Sequence, residues 1–271
     1  MKSRKKYLCT VLVSMLIFVL LTLIIYVNKT TIEITQLSPQ GSRQMMGYLI
    51  KTCNGKLIAI DGGTVEDTDN LVKNINKNGG KVDYWFLTHA HDDHCGAFVQ
   101  AINNNEIKVE KIYVSLNEKE WYENNEQERS EFSALLIDAL NKEEIKEKVI
   151  APKLNEIIQI DNIKAEILGI KNPEITENPG NEQSMVIRFD TGNTSILILG
   201  DTGEKSSKKL LETNKEKLNC DIVQVAHHGQ AGATKELYEA VSPKICLWPT
   251  TEWLWNNDAG EGTRNRKMEN I

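Results

Sequence analysis

The sequence predicts an α/β sandwich, with two sheets packed face to face and helices on the outside. Two observations carry that expectation. Strand-like runs dominate both halves of the chain, and each half then closes on alternating helices and strands. Residues 30–271 are also a suitable length for one large domain, with no internal repeat, low-complexity tract or Pro-rich linker to mark a second. The composition, 26% charged and 40% apolar, excludes a disordered chain, a collagen-like repeat and a disulfide-dense miniprotein.

Residues 1–29 stand apart. Leu8 to Val27 carries no charge, and twenty helical residues span about 30 Å, the hydrocarbon thickness of a bilayer. Lys2, Arg4, Lys5 and Lys6 precede this run and Lys29 follows it. That asymmetry keeps the N-terminus in the cytoplasm and exports the rest. A cleaved signal peptide would have a shorter apolar core ending in small residues, whereas this run ends Ile24-Ile25-Tyr26-Val27. The expectation is a single-pass signal anchor in the cell membrane with an extracytoplasmic domain. No second such run occurs, which excludes a multi-pass protein.

The domain opens on strands. Ile32–Leu37 alternates, and Met45–Lys51 and Lys56–Ile60 form a hairpin turning at Asn54-Gly55. Asp61-Gly62-Gly63 is a turn, and Glu66–Asn78 is a helix stopping at Gly79-Gly80. Val82–Leu87 is a strand, Cys95–Ile102 a helix and Lys111–Ser115 a strand. One long amphipathic helical stretch is expected from about Glu118 to Lys148, with Phe132, Leu135, Leu136 and Ala139 at helical spacing. Strands follow at Leu154–Ile160, Lys164–Ile170, Met185–Asp190 and Ser195–Leu199. Helix Glu204–Asn214, strand Ile222–Val225, helix Thr234–Ala240 and strand Lys244–Trp248 complete the order.

The net charge of −6 includes five cations flanking the apolar run, so the domain itself is near −11, with 38 acidic residues against 27 basic ones. A field of that sign disfavours nucleic acid as a substrate, a local basic patch aside. Cys53, Cys95, Cys220 and Cys246 show no C-x-x-C pair, and a domain of this size needs no staples, so free thiols are expected.

All five histidines fall in two windows. Thr88-His89-Ala90-His91-Asp92-Asp93-His94 follows the strand Val82–Leu87 directly, and Val225-Ala226-His227-His228-Gly229 closes another strand. Strand ends opening into loops are where such folds place chemistry. Three imidazoles and a carboxylate within six residues suit a borderline metal such as Zn²⁺. Asp201, between Gly200 and the Thr202-Gly203 turn at the end of a third strand, adds a carboxylate.

The H-x-H-x-D-H run, the later Gly-Asp and the final His resemble the metallo-β-lactamase superfamily of hydrolases. The resemblance spans about Gln36 to Trp248 and includes Asp61-Gly62-Gly63. The run Asp221–Gly229 is particularly like the hydrolase domain of competence (DNA-uptake) proteins, and also resembles phosphorylcholine esterases. It implies an αββα sandwich and one or two Zn²⁺ ions, with Mn²⁺ an alternative. His89 and His91 would hold one metal, Asp93, His94 and His227 a second, and Asp201 would bridge them. His228 would donate a proton, contact substrate or replace His227 as ligand; His227 is favoured because it directly follows the strand.

The family's further ligand histidine between the first cluster and the bridging Asp is absent here. That region reads Asn178-Pro179-Gly180-Asn181-Glu182-Gln183-Ser184, where Asn181 would contact substrate or water, or merely turn the chain. Asp92 or Asp93 is an alternative base, with Asp93 favoured as a ligand. The implied reaction is hydrolysis of a small-molecule phosphoester or phosphodiester by a metal-bound hydroxide. The alternatives are a carbon-centred hydrolase (lactone or β-lactam) and a non-catalytic metal-binding module. Trp248, Trp253 and Trp255 would stack on a ligand or pack. Family members usually continue past Trp248 through further elements, so Asn257–Ile271 reads as a trimmed or truncated end; the sequence carries no signal for oligomeric state.

Overall fold

The computed structural model describes residues 10–22 and 31–256. Residues 10–22 form an exposed helix, α1, and the remainder of the expected anchor lies outside the described residues, as does the polar tail from residue 257. Among the described residues no helix is long and apolar enough to cross a membrane.

The first half builds a six-stranded sheet in the order β1 (Glu33–Gln36), β2 (Gly47–Lys51), β3 (Leu57–Asp61), β4 (Lys81–Leu87), β5 (Lys108–Val114) and β6 (Val149–Ile150). β1 to β3 form an antiparallel meander, and β3 to β6 run parallel. The parallel crossovers carry α2 (Thr68–Lys77), α3 (Asp92–Asn103), and α4 (Lys119–Asn125) with α5 (Ser130–Leu140). The second half repeats the scheme. β7 (Ile157–Ile160), β8 (Ile163–Gly169), β9 (Val186–Asp190) and β10 (Ser195–Ile198) are antiparallel neighbours. β11 (Ile222–Gln224) and β12 (Ile245–Leu247) then add in parallel after α6 (Glu204–Asn214) and α7 (Lys235–Val241). A last turn of helix, α8 (Glu252–Trp255), follows.

The strand period of two separates the layers. Ile58 and Ile60 of β3, with Phe86 of β4, face Phe189 of β9 and Ile196 and Ile198 of β10 in the core between the sheets. Phe86 and Phe189 meet edge to face at 5.5 Å. The alternate residues Leu57 and Ala59 pack under α2, α3 and α5, whereas Leu197 and Leu199 pack under α6 and α7. Buried on both faces, Leu57–Ile60 and Ile196–Leu199 read as continuous apolar runs. The four-layer αββα order is the one expected.

Two elements depart from the sequence reading. The stretch expected as one helix from Glu118 to Lys148 breaks at Glu126, whose backbone (φ −141°, ψ 55°) ends α4. A turn then closes from Arg129 N–H onto the Glu126 carbonyl before α5 begins. Helical periodicity cannot see this break, because both helices keep their apolar faces on the same layer. The expected strand Leu154–Ile160 begins only at Ile157, after Asn155 adopts a left-handed φ of 63°. The four cysteines carry free thiols, as expected.

Candidate metal centre

The loops following β4, β10 and β11 leave the same end of the two sheets, and their tips meet. His89 follows β4, Asp93 and His94 open α3, Asp201 follows β10, and His228 lies in the turn Ala226–Gly229 after β11. The halves are stitched together at this point by Met185 N–H, which donates to the Thr88 carbonyl at 2.8 Å, and within the second half His227 N–H donates to the Gly200 carbonyl at 3.2 Å.

Ring nitrogens of His89 and His94 and a carboxylate oxygen of Asp201 lie within 4.8 Å of one another, as do ligand atoms of Asp93, His94 and His228. All five residues are buried. His94 Nε2 stands 3.1 Å and His89 Nε2 3.8 Å from the Asp201 carboxylate. His228 Nε2 is 3.4 Å from Asp93 and 3.7 Å from Asp201.

The outer nitrogens of these rings are tied down by partners that set the tautomer. His94 Nδ1 donates to Asp61 Oδ2 at 2.7 Å. His228 Nδ1 donates to the Pro249 carbonyl at 2.7 Å. Thr88 Oγ1 donates to Asp61 at 2.7 Å and so accepts from His89 Nδ1 at 3.1 Å. Each ring therefore turns an Nε2 lone pair inward. His89 Nε2, His94 Nε2, His228 Nε2, Asp93 Oδ1 and Asp201 Oδ1 are all buried without a hydrogen-bond partner.

Burial of that many unpaired acceptors is costly, about 1–3 kcal/mol each. Facing lone pairs also repel unless a proton or cation lies between them. The mixed imidazole and carboxylate set fits a divalent metal of the zinc kind better than a hard cation that prefers oxygen alone. The charges agree. Burial alone would raise the carboxyl of Asp201, but His94, His228 and His227 outweigh it and hold it well below the carboxylate range. Asp93 is held low against burial by the nearby His228 and His94 rings. Burial, reinforced by His94 and His91, pushes His89 well below its ordinary value, keeping it a neutral ligand.

A sequence profile of the metallo-beta-lactamase superfamily matches residues 46–244, which hold every residue of this cluster. The chain belongs to that superfamily. It is similar to ComE operon protein 3 of Bacillus subtilis, at 22% identity over 171 residues, 62% of this chain and 20% of that protein. It is also similar to the uncharacterized protein YcaI of Escherichia coli, at 30% identity over 73 residues, 27% of this chain and 10% of that one. The chain thus spans a fifth or less of the curated relatives it matches. Among solved structures, the metallo-beta-lactamase fold protein YhfI of Bacillus subtilis aligns with a TM-score of 0.49 at 14% identity, covering 80% of this chain and 84% of that one.

Within this superfamily member the ring favoured from the sequence for the second subsite, His227, is displaced by its neighbour. Both histidines adopt left-handed backbone (φ 51° and 55°), which sends their rings in different directions. His228 is buried and aimed at Asp93, whereas His227 remains 21% exposed in its side chain, 4.0 Å from Asp201. Burial lowers His227 below its ordinary value. At His228 burial also acts downward, but Asp201 and Asp93 outweigh it and raise the ring. His91 belongs to neither ligand group. Its ring centroid is 4.4 Å from that of His89, and its Nε2 is engaged by Glu126. Asn181 lies outside both groups as well: its Nδ2 donates to Asn178 at 2.9 Å and meets His227 Nε2 at 3.3 Å.

Several supporting residues escape a reading of the sequence. Asp61, read from the sequence as a turn residue within the family resemblance but given no contact to the site, accepts from Thr88 N–H, Thr88 Oγ1 and His94 Nδ1. Ser184 Oγ accepts from Asp201 N–H at 2.9 Å. Arg43 and Arg129 pair with Asp92 at 2.6 and 3.3 Å, and Arg129 also comes within 3.7 Å of Asp93. Trp248 and Trp253 act as ties, their indole N–H groups donating to the His228 and Ser42 carbonyls.

Proposed function

We propose that the chain is a metal-dependent hydrolase of phosphoesters or phosphodiesters, anchored in the membrane with its domain outside the cytoplasm. The observation that carries the hydrolase reading is the convergence, from both sheets, of five buried ligand-type atoms that find no hydrogen-bond partner. Zn²⁺, one or two ions, would be held by His89, His91 and Asp201, and by Asp93, His94 and His228, with Asp201 shared. A bound divalent cation would supply Lewis acidity toward an ester oxygen and lower the pKa of water toward about 7.

The chain's own groups supply the remainder. Asp61, Thr88 and Pro249 keep three imidazoles facing inward without reorganisation. His227, lowered by burial and partly exposed, lies 4.0 Å from Asp201 through Nε2, with Asn181 Nδ2 3.3 Å from the same nitrogen. It is the side chain able to take a proton from attacking water. Arg129, paired with Asp92 and within 3.7 Å of Asp93, is a part-exposed cation at the edge of the cluster that a negatively charged phosphoester would engage and a neutral lactone would not. The anchor reading rests on the uncharged run Leu8–Val27 and the four cations before it.

Turnover of a chromogenic phosphodiester by the zinc-loaded protein, before and after chelation, tests the reaction. Chelator-sensitive hydrolysis is expected. Hydrolysis of a lactone or β-lactam but not the diester would contradict the substrate class. Bound metal with no hydrolysis across the ester panel would make the protein a binding module. Fractionation tests the anchor: the full chain should need detergent for release from membranes, and release by salt alone would contradict it.

A further inference from the structure

We infer that Glu126, at the corner between α4 and α5, is a positioning residue of the metal centre, holding His91 ready for the ion beside His89. The inference rests on the reading of the site as a metal centre and assigns it a residue from outside the histidine and aspartate motifs. Three observations support it.

Glu126 Oε1 stands 2.7 Å from His91 Nε2. An ionised carboxylate can only accept, so the ring proton lies on Nε2 and the lone pair on Nδ1. His91 is therefore the opposite tautomer to His89, His94 and His228, each of which is tied through Nδ1. A carboxylate on the far nitrogen fixes a ligating imidazole's orientation and raises its basicity.

The second oxygen, Glu126 Oε2, is buried and has no hydrogen-bond partner. A carboxylate whose only purpose was to end a helix would turn that oxygen to water. Here the pair is largely sealed, with side-chain exposures of 5% for His91 and 11% for Glu126.

The third observation is the space made for it. Gly180 approaches so closely that an added Cβ would collide with His91 Nε2 and with both Glu126 carboxylate oxygens. Gly180 belongs to the segment Asn178–Ser184, which carries no histidine in this chain. The carboxylate thus occupies volume that a side chain from that segment would fill. The corner is itself tied to the histidine loop: Ser133 Oγ donates to the Ala90 carbonyl at 3.3 Å, and Arg129 pairs with Asp92. The break that splits the expected long helix is what delivers Glu126.

The test is zinc titration of the full-length protein against a chromophoric chelator, comparing wild type with Glu126→Gln and Glu126→Ala. Alongside it, two-bond ¹H–¹⁵N spectra of the metal-free protein report the tautomer of His91. Loss of such a partner costs about 10–100-fold in metal affinity. That loss is expected in Glu126→Ala, with a smaller loss in Glu126→Gln. His91 should be in the Nε2–H form in wild type and lose that preference in Glu126→Ala, with the melting temperature of the metal-free protein little changed. Wild-type affinity in both variants, or His91 in the Nδ1–H form in wild type, would overturn the inference while leaving the metal centre intact. A wild type that binds no zinc would overturn the metal-centre reading and this inference with it. If Glu126→Ala fails to fold, Glu126→Gln and the wild-type tautomer still decide.

Discussion

In the N-terminal half of the site, His89, His91, Asp93 and His94 lie within six consecutive residues. In the C-terminal half, Asp201 and His228 come from loops after two different strands. The first group is positioned through side chains, with Asp61 and Thr88 gripping His94 and His89 from beneath and Glu126 gripping His91. The second is positioned through backbone: left-handed conformations at Gly200, His227, His228 and Gly229, and carbonyls that accept from or brace the rings. Non-glycine residues pay roughly 1–3 kcal/mol for such conformations, so the strain at His227 and His228 is retained where it aims a ring. The N-terminal half should therefore be sensitive to its supporting side chains, and the C-terminal half to the identity of the residue in each backbone position.

Four substitutions should break or sharpen this contrast. Asp201→Ala removes the carboxylate both groups face, and turnover of the diester should fall by at least about 10³-fold, since Lewis-acid stabilisation is worth several kcal/mol. Steady-state kinetics would show it, and an unchanged rate would contradict the shared role. His228→Ala and His227→Ala should separate cleanly. The first should lose one bound metal by elemental analysis. The second should keep its metal content while kcat falls by about 10²-fold or more, the usual scale for a proton acceptor. Equal metal loss in both would return the ligand role to His227. Asp61→Asn keeps the shape but not the charge holding His94, so zinc affinity should drop about 10–100-fold in a chelator competition.

The smallest effect lies far from the metal. Asp221 accepts from Ser195 N–H and Oγ and from Lys244, joining β10 to β12. The Lys244 hydrogen bond and those from Ser195 hold its pKa at about 2. A carboxylate depressed on folding contributes stability above its unfolded value near 3.9, and that contribution is lost as pH falls from about 4 to 2. Asp221→Asn should slightly flatten the acid limb of a pH–melting curve, and an identical limb would assign Asp221 no such role.

The layers were legible because their causes are local and periodic. Central strand segments such as Leu57–Ile60 and Ile196–Leu199 announce two-sided burial by uninterrupted apolar residues. The histidine windows announce the site because so many ligand-type residues after strand ends have no cheap structural explanation. What escaped depends on direction. Whether His227 or His228 turns inward is decided by two positive φ values and by Pro249 twenty-one residues later. Likewise, Glu126 reaches His91 only because α4 breaks there, and an acidic residue on an amphipathic helix carries no sign of that.

The proposed metal is held jointly by the two halves of the chain. Elemental analysis of the full-length protein, dialysed against Zn²⁺ and then freed of unbound ion, tests it directly with Asp201→Ala alongside. Stoichiometric zinc in wild type and little or none in Asp201→Ala is the predicted result. A wild type that retains no zinc, or an Asp201→Ala protein that retains as much as wild type, would contradict it.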